Sequence, residues 1–357
     1  MRKLTMEEII GVVRGHAYGH GAVRVARHLA SLGVETFAVA TTNEGRVLRN
    51  GGVQGKIHVL GNCQPEEINH VVENDLIPTI CWSNALKTVP ANKLLTKTGA
   101  QLKVNVNVDS GLSMYGVETC QLDGLIQELD ALDVGIESIF THFAGGLTDR
   151  SGNLDQLDHF LNCTDPYVNK NISRHAAASV GCCQMVGTEL DYVRPGRILY
   201  GISTENDFPG LKVFKDFDFL PAMSVFARPT FYERVPPTNG RLGPKWLASF
   251  ACGWADGYSE KLSHGIGSLR NNKTGQLHAL VGRVTADECN AALRKQPRSG
   301  DTFTLLTADY ADHTSPAWMA CTLGDSPAEV TSAWSRRVPR VYVRQGEVVN
   351  ITAGVDL

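Results

Sequence analysis

The 357-residue chain reads as an α/β barrel of the (β/α)8, TIM-like type, followed by a second, mostly β domain. Three observations carry that reading. Eight short apolar runs alternate with helical patterns over about the first two hundred residues. No G-x-G-x-x-G follows the first run, which counts against an open doubly wound sheet, the competing architecture. Beyond about residue 203 the rhythm changes to short β-like runs divided by turn residues. The expected domains are residues 1–210 for the barrel and 211–357 for the β domain.

Taken in order, Gly11–Val13 opens the strand series. Ala22, Val25, Ala26, Leu29 and Leu32 follow at helical spacing, and Gly33 ends that helix. The next strands are expected at Thr36–Thr41, Ile57–Gly61, Leu76–Cys81, Leu102–Val108, Ile136–His142, His175–Ser179 and Ile198–Ile202. Leu122, Leu125, Ile126, Leu129 and Leu132 mark another helix face. Thr204–Phe219 reads as a linker. The second domain is expected to use strands at Ser224–Arg228, Trp246–Ala251, Leu277–Val284, Thr302–Leu306 and Val338–Val343. Pro236-Pro237, Asn239-Gly240 and Ser299-Gly300 supply turns between them.

Composition narrows the function class. Thirty-four basic and 37 acidic residues leave a formal charge of −3, so no electrostatic footprint for nucleic acid is visible. Apolar runs such as Leu247–Cys252 are far below the ~20 residues of a membrane span. Met1–Gly11 lacks the apolar region of a secretory signal. The nine cysteines show no C-x-x-C spacing, and Cys182–Cys183 are adjacent, which suits neither an ordinary disulfide nor a zinc site. A reduced, cytoplasmic protein is expected.

Eight motifs in sequence order then resemble those of the alanine racemases, pyridoxal-phosphate (PLP) enzymes with a barrel and a β domain. They are VVRGHAYGHG (Val12–Gly21), VDSGLSMYG (Val108–Gly116), FTHFA (Phe140–Ala144), RHAAAS (Arg174–Ser179), RPGRILYG (Arg194–Gly201), GWADGY (Gly253–Tyr258), VGRVTAD (Val281–Asp287) and RVPRVY (Arg337–Tyr342). The resemblance implies a cofactor-phosphate cup made by Tyr18, Ser179, Gly196, Arg197 and Tyr342. A dianion needs convergent O–H and N–H donors, which late barrel loops commonly provide. Arg197 stands where the family has an apolar residue; turned inward it adds a charge-assisted donor, turned outward it is a solvated arginine. Arg194 matches the arginine that bonds the pyridine nitrogen, or else is a structural bridge between strands. His142 resembles the histidine packed on the cofactor ring, and His175 a neighbouring one. Two histidines alone do not make a metal site, and none is expected.

The same resemblance exposes what is missing. The lysine that forms the Schiff base in V-V-K-A-N-A-Y-G is replaced by Arg14, whose guanidinium offers no amine lone pair near neutral pH. The tyrosine base of G-Y-A-D-G is replaced by Trp254, whose indole N–H only donates. Tyr258 lies in a different register. Further family positions read Asn107 for a carbamylated lysine, Met114 for an arginine, His16 for an asparagine, Thr285-Ala286-Asp287 for C-M-D, and Ala178-Ser179 for N-S. Lys103 is expected deep in the barrel, and Lys245 and Lys273 on loops, so none substitutes for the lost lysine. Only Met1–Ile10 precede the first barrel strand, where the family has a strand and a helix.

These readings predict a degenerate racemase-like protein that binds PLP non-covalently, if at all, or another small phosphorylated ligand or amino acid. The alternatives are a functioning alanine racemase, and a different enzyme acting on a phosphate or carboxylate substrate. In the last, Arg14, Arg194, Arg197, His16, His142 and Asp109 form a cationic pocket, with His142 or His16 as acid–base. A homodimer is expected by analogy, or a heterodimer with an intact racemase.

Overall fold

The computed structural model describes residues 8–352 except 83, 91–93, 97–98, 147, 169, 203–218, 237–245, 299 and 310–311. The expected linker up to residue 218, the domain boundary at 210/211, the Asn239-Gly240 turn and Lys245 lie outside the described residues. So do Pro237, Ser299 and the first seven residues. The chain divides into two compact units. The first takes in residues 8–17 and 21–199, the second residues 18–20, 200–202 and 219–352.

The first unit is the barrel. Its strands are β1 (Ile10–Val12), β2 (Thr36–Val39), β3 (Lys56–Asn62), β4 (Ile77–Ile80), β5 (Lys103–Asp109), the short side strand β6 (Val117–Glu118), β7 (Gly135–Phe140), β8 (Ser173–Ala178) and β9 (Tyr192–Arg194). They pair in parallel in the order β1-β2-β3-β4-β5-β7-β8-β9, with β6 on the flank of β5. A parallel bridge between Ile9 and Val193, and a 3.1 Å bond from the Val12 N–H to the Pro195 carbonyl, bring β9 back beside β1. This eight-stranded, nearly closed ring is the predicted (β/α)8 barrel. Pleating explains β5: Val104, Val106 and Val108 are buried on one face, which places Lys103, Asn105, Asn107 and Asp109 on the other. The helix Ala22–Ser31 buries Ala22 and Ala26, and Gly33 follows it at φ 98°, a conformation that favours glycine.

One predicted strand is corrected. Ile198–Ile202 is not the eighth strand; Arg197–Tyr200 forms a 3-10 turn, and the eighth strand of the ring is Tyr192–Arg194. The reason lies in Pro195-Gly196. Proline has no N–H for a ladder, so pairing with β8 ends at Arg194↔Ala178. The apolar run beyond is still buried, as Tyr200 and Ile202 show, and burial alone does not separate strand from turn.

The second unit holds two antiparallel sheets and a hairpin. Val225–Ala227, Pro229–Arg234, Trp246–Phe250, Ser268–Asn271, Leu277–Ala279, Cys289–Leu293, Phe303–Leu306, Arg340–Arg344 and Glu347–Thr352 are β10 to β18 in chain order. One sheet runs β10-β16-β13-β14, the other β11-β12-β15, and β17 pairs with β18. Phe250 and Phe303 meet edge to face, with ring centroids 5.0 Å apart, in a core with Leu269, Leu305 and Tyr258. Leu277–Val284 stops as a strand at Ala279, because the chain turns through Gly282 at φ 69°. The helices Pro316–Leu323 and Pro327–Ser332 were not expected. Each starts with a Ser-Pro pair, and the serine hydroxyl caps the first turn.

Candidate active site at the barrel mouth

Several polar groups of the first unit stand at the carboxyl ends of the barrel strands. Arg14 follows β1 directly and is exposed at the start of an unusual turn. Gly15, His16, Ala17 and Tyr18 all have left-handed backbones, at φ 62°, 55°, 56° and 50°. A run of left-handed residues costs about 1–2 kcal/mol for each non-glycine, so something must hold it. Glu44 does. Its carboxylate accepts the Gly15 N–H at 2.7 Å and the Ala40 N–H at 2.8 Å, tying the turn to the end of β2. Glu44 belongs to a T-x-x-E pattern, Thr41 to Glu44, which ordinarily marks a helix start. That pattern was legible; its second use was not.

Arg194 lies in the barrel interior, 2% exposed. Its Nη1 donates to His175 Nδ1 and, at 2.9 Å, to the His175 carbonyl. Its Nη2 donates to the carbonyls of Thr141 at 2.7 Å and Ala176 at 3.2 Å. The guanidinium also stands 5.1 Å over the Phe140 ring. Four of its five N–H groups are thereby engaged, and the Nε–H is left over. Burial draws the Arg194 pKa down to about 10, still far above neutrality.

Because His175 Nδ1 accepts from Arg194, its proton sits on Nε2, which bonds Ser138 Oγ at 3.1 Å. Ser138 donates to Asn105 Oδ1 at 2.7 Å, and His58 Nδ1 meets the same oxygen at 2.9 Å. The result is a buried line of polar groups under Arg194. Burial first, then Arg194 and His58, hold the His175 pKa well below its usual value; burial takes His58 to about 4. Both rings are therefore neutral. The asparagines alternating with valines in β5 were the visible trace of this line; Ser138 and His58 carried no sequence signal.

His142 sits two residues past β7. Its ring is exposed, yet the concave mouth packs protein around it and Arg194, Arg14 and Arg197 all act on it. Enclosure first, then those three positive charges, lowers its pKa to about 4. In the turn after β9, the Gly196 N–H donates to Ser179 Oγ at 3.0 Å, and Arg197 follows, half-buried. Arg14, His142, Ser179, Arg194, Gly196 and Arg197 thus all stand at the carboxyl ends of β7, β8, β9 and β1. Asp109 ends β5. One of its carboxylate oxygens accepts the N–H groups of Gly111 at 2.9 Å and Ser113 at 3.0 Å, bracing its own loop. Asn107 is buried and donates to the Tyr115 carbonyl.

Tyr18, Tyr342 and Trp254 belong to the second unit. Tyr18 packs on Tyr200 with centroids 5.3 Å apart, and Tyr342 lies on β17 opposite Asn350. Trp254 is 54% exposed on a tight turn. Its N–H and that of Ala255 bond the carbonyls of Thr285 and Ala286, and Arg337 joins Asp256 to Asp287 across the same two loops. Tyr258 is 1% exposed, stacked beside Trp334 in the core, where burial keeps its phenol protonated. It is not placed to act as a base at the surface.

The lysines considered as substitutes lie elsewhere. Lys103 and Lys56, the first residues of their strands, share the Glu137 carboxylate at the amino end of the barrel. Lys273 sits on the turn after β13, its N–H bonded to Asn271. Among the described residues no group of three or more His, Cys, Asp or Glu side chains could hold a metal ion, and no helix is long and apolar enough to cross a membrane.

Comparisons with known proteins agree with this architecture. The family described as alanine racemase, N-terminal domain, matches residues 1–204, and alanine racemase, C-terminal domain, matches residues 241–342. An alanine racemase of Halothermothrix orenii is 30% identical over 94% of this chain and 90% of its own length. One from Methanococcus maripaludis is 29% identical over 96% and 94%. Among solved structures, alanine racemase from Bacillus anthracis with bound L-Ala-P superposes at a TM-score of 0.84, with 29% identity, covering 98% of this chain and 92% of that one. Alanine racemase from Bartonella henselae with covalently bound pyridoxal phosphate superposes at 0.74, with 25% identity, covering 94% and 92%.

Proposed function

The chain belongs to the alanine racemase family, and from that premise we propose that it is a degenerate member, one that holds a phosphate-bearing ligand at the barrel mouth without racemising alanine. The observation that carries the reading is Arg14 at the end of β1, where the resemblance puts the lysine that anchors the cofactor. An arginine there binds anions but captures no carbonyl carbon, since its guanidinium stays protonated. Lys103 and Lys56, in the first unit, are paired to Glu137 at the far end of the barrel.

PLP, when bound in this family, supplies an electron-withdrawing ring and an aldehyde. The residues present fit the ring and the phosphate. Arg194 keeps one N–H beyond its four bonds and, remaining charged, would leave a pyridine nitrogen unprotonated. Ser179 brings a hydroxyl, whose oxygen accepts the Gly196 N–H, and Arg197 a guanidinium, to the turn after β9. The same residues do not fit covalent attachment. Proton transfer is also short of actors: Trp254 only donates, and Tyr258 is buried.

A second reading, a functioning racemase, draws on the near full-length similarity to curated alanine racemases. Incubating the protein with saturating PLP and L-alanine separates the two. The degenerate reading expects D-alanine no faster than with PLP alone; turnover at an enzyme's usual rate of about 1–1000 per second overturns it. A cytoplasmic location and a dimer, with itself or with an intact racemase, complete the proposal. Sedimentation of the purified protein, alone and mixed with an active racemase, tests the assembly, and a monomer in both runs excludes it.

A further inference from the structure

We propose that the second unit holds a binding site of its own, for a small aromatic amine that carries a hydrogen-bond acceptor on its ring. The site is built from residues of the second unit alone and does not rest on the phosphate-bearing ligand proposed above.

A cavity of about 350 Å³ is lined by the turn that carries Trp254 and by the helices Pro316–Leu323 and Pro327–Ser332. That is the low end of ligand-pocket sizes and suits a molecule of one or two rings. Its buried lining is apolar, with Leu262, Met319 and Val330 all nearly inaccessible to solvent. Trp334 lines it too and is 5% exposed. The Trp334 Nε1–H is buried and meets no acceptor among the described residues. A buried indole N–H ordinarily has a partner. Leu262, Met319 and Val330 bear no polar side-chain atom that accepts it, and the Tyr258 hydroxyl is given to the Ser268 carbonyl at 3.5 Å. A bridging water needs two to four polar partners, so water is poorly held against such a lining. An oxygen on the ring of a ligand gives the indole its acceptor, while the ring itself fills the apolar space.

The rim sets the sign of the ligand. Asp325 and Glu329 are exposed and line the cavity; no lysine or arginine lines it. Lys261 stands 3.6 Å from Asp325 and donates to the Leu323 carbonyl. One cation thus faces two carboxylates, which leaves the rim negative. Trp254, with its ring half exposed, adds an aromatic surface to the same lining, and such faces attract cations. An ammonium is favoured on both counts, and a phosphate or carboxylate is repelled.

The experiment is titration of the PLP-free protein at neutral pH and low ionic strength, followed by tryptophan emission excited beyond the phenol absorption. Three probes are compared: tyramine, which has the ring oxygen and the ammonium, phenethylamine, which lacks the oxygen, and tyrosol, which lacks the charge. We expect tyramine to bind saturably. Phenethylamine should bind about five- to tenfold more weakly, since it leaves the indole N–H unmet. Tyrosol should bind about threefold more weakly, a gap that added salt closes. Trp334→Phe keeps a ring and removes the N–H, so the tyramine-to-phenethylamine ratio should fall to about one. Leu323→Trp keeps the N–H and narrows the half-exposed rim, so it should weaken all three probes at least tenfold, with circular dichroism confirming that both variants are folded. Absence of saturable tyramine binding overturns the proposal. So do equal affinities for tyramine and phenethylamine, tyrosol binding as tightly as tyramine, or unaltered tyramine binding in Leu323→Trp.

Discussion

Replacing Arg194 by lysine keeps the charge and removes the fork. In the barrel that fork reaches four acceptors, His175 Nδ1 and the carbonyls of His175, Thr141 and Ala176. An ammonium is a single point with three N–H groups, and the four acceptors lie around a planar guanidinium, so roughly two are left unmet. At about 1–3 kcal/mol for each buried group without a partner, Arg194→Lys should cost roughly 2–6 kcal/mol. For a unit of about 200 residues that corresponds to a melting shift of roughly 5–15 °C. The assay is a thermal melt followed by near-ultraviolet circular dichroism, with exposed Arg298→Lys as the control, which should stay within about 0.5 kcal/mol of the parent. A shift below about 2 °C in Arg194→Lys would refute the reasoning, because the four bonds would then contribute nothing that a bare charge does not.

Other outcomes follow from the same geometry. His58 and His175 are neutral in the fold, with pKa values about 4 and well below 6.5, while the unfolded chain protonates both near 6.5. The unfolded state therefore binds more protons below pH 6.5, and stability falls on acidification; at pH 5.5 each ring should cost about 1.4 kcal/mol relative to pH 7.5, readable from urea midpoints. Unchanged midpoints between those pH values would count against the neutral assignment. Gly253→Ala would place a methyl 2.3 Å from the Thr285 carbonyl oxygen and 2.4 Å from the Ala286 carbonyl. The turn that carries Trp254 must then shift, costing about 1–3 kcal/mol, with Trp254 fluorescence as the reporter. Glu44→Gln weakens a charge-assisted tie to the Gly15 and Ala40 N–H groups, so those amides should exchange hydrogen roughly tenfold faster. Unaltered exchange would mean that the left-handed turn holds itself.

Periodicity made the barrel legible because parallel strands buried on both faces read as short apolar runs, and seven of the eight in the ring fell close to the expected positions. The eighth slipped past Pro195-Gly196 because the more apolar run, Ile198–Ile202, lay on the wrong side of the break. In the second unit, β11, β13, β15 and β18 escaped notice, since strands such as SLRN and PTFYER are short and mixed in polarity. Motif order placed Arg14, His142, Ser179, Arg194, Gly196 and Arg197 at neighbouring strand ends. It was silent on Glu44 and on the line His175–Ser138–Asn105–His58, whose members come together only when the ring closes. Asp109 was legible as a carboxylate, but its engagement with the Gly111 and Ser113 N–H groups is a property of the loop geometry.

The central claim is that Arg14 ends covalent cofactor chemistry in this chain. The direct measurement is intact mass and visible absorption of the purified protein after incubation with PLP, borohydride reduction and desalting. The account predicts no retained absorption and no added mass. A PLP-sized mass increment mapped to a lysine at the barrel mouth would contradict it.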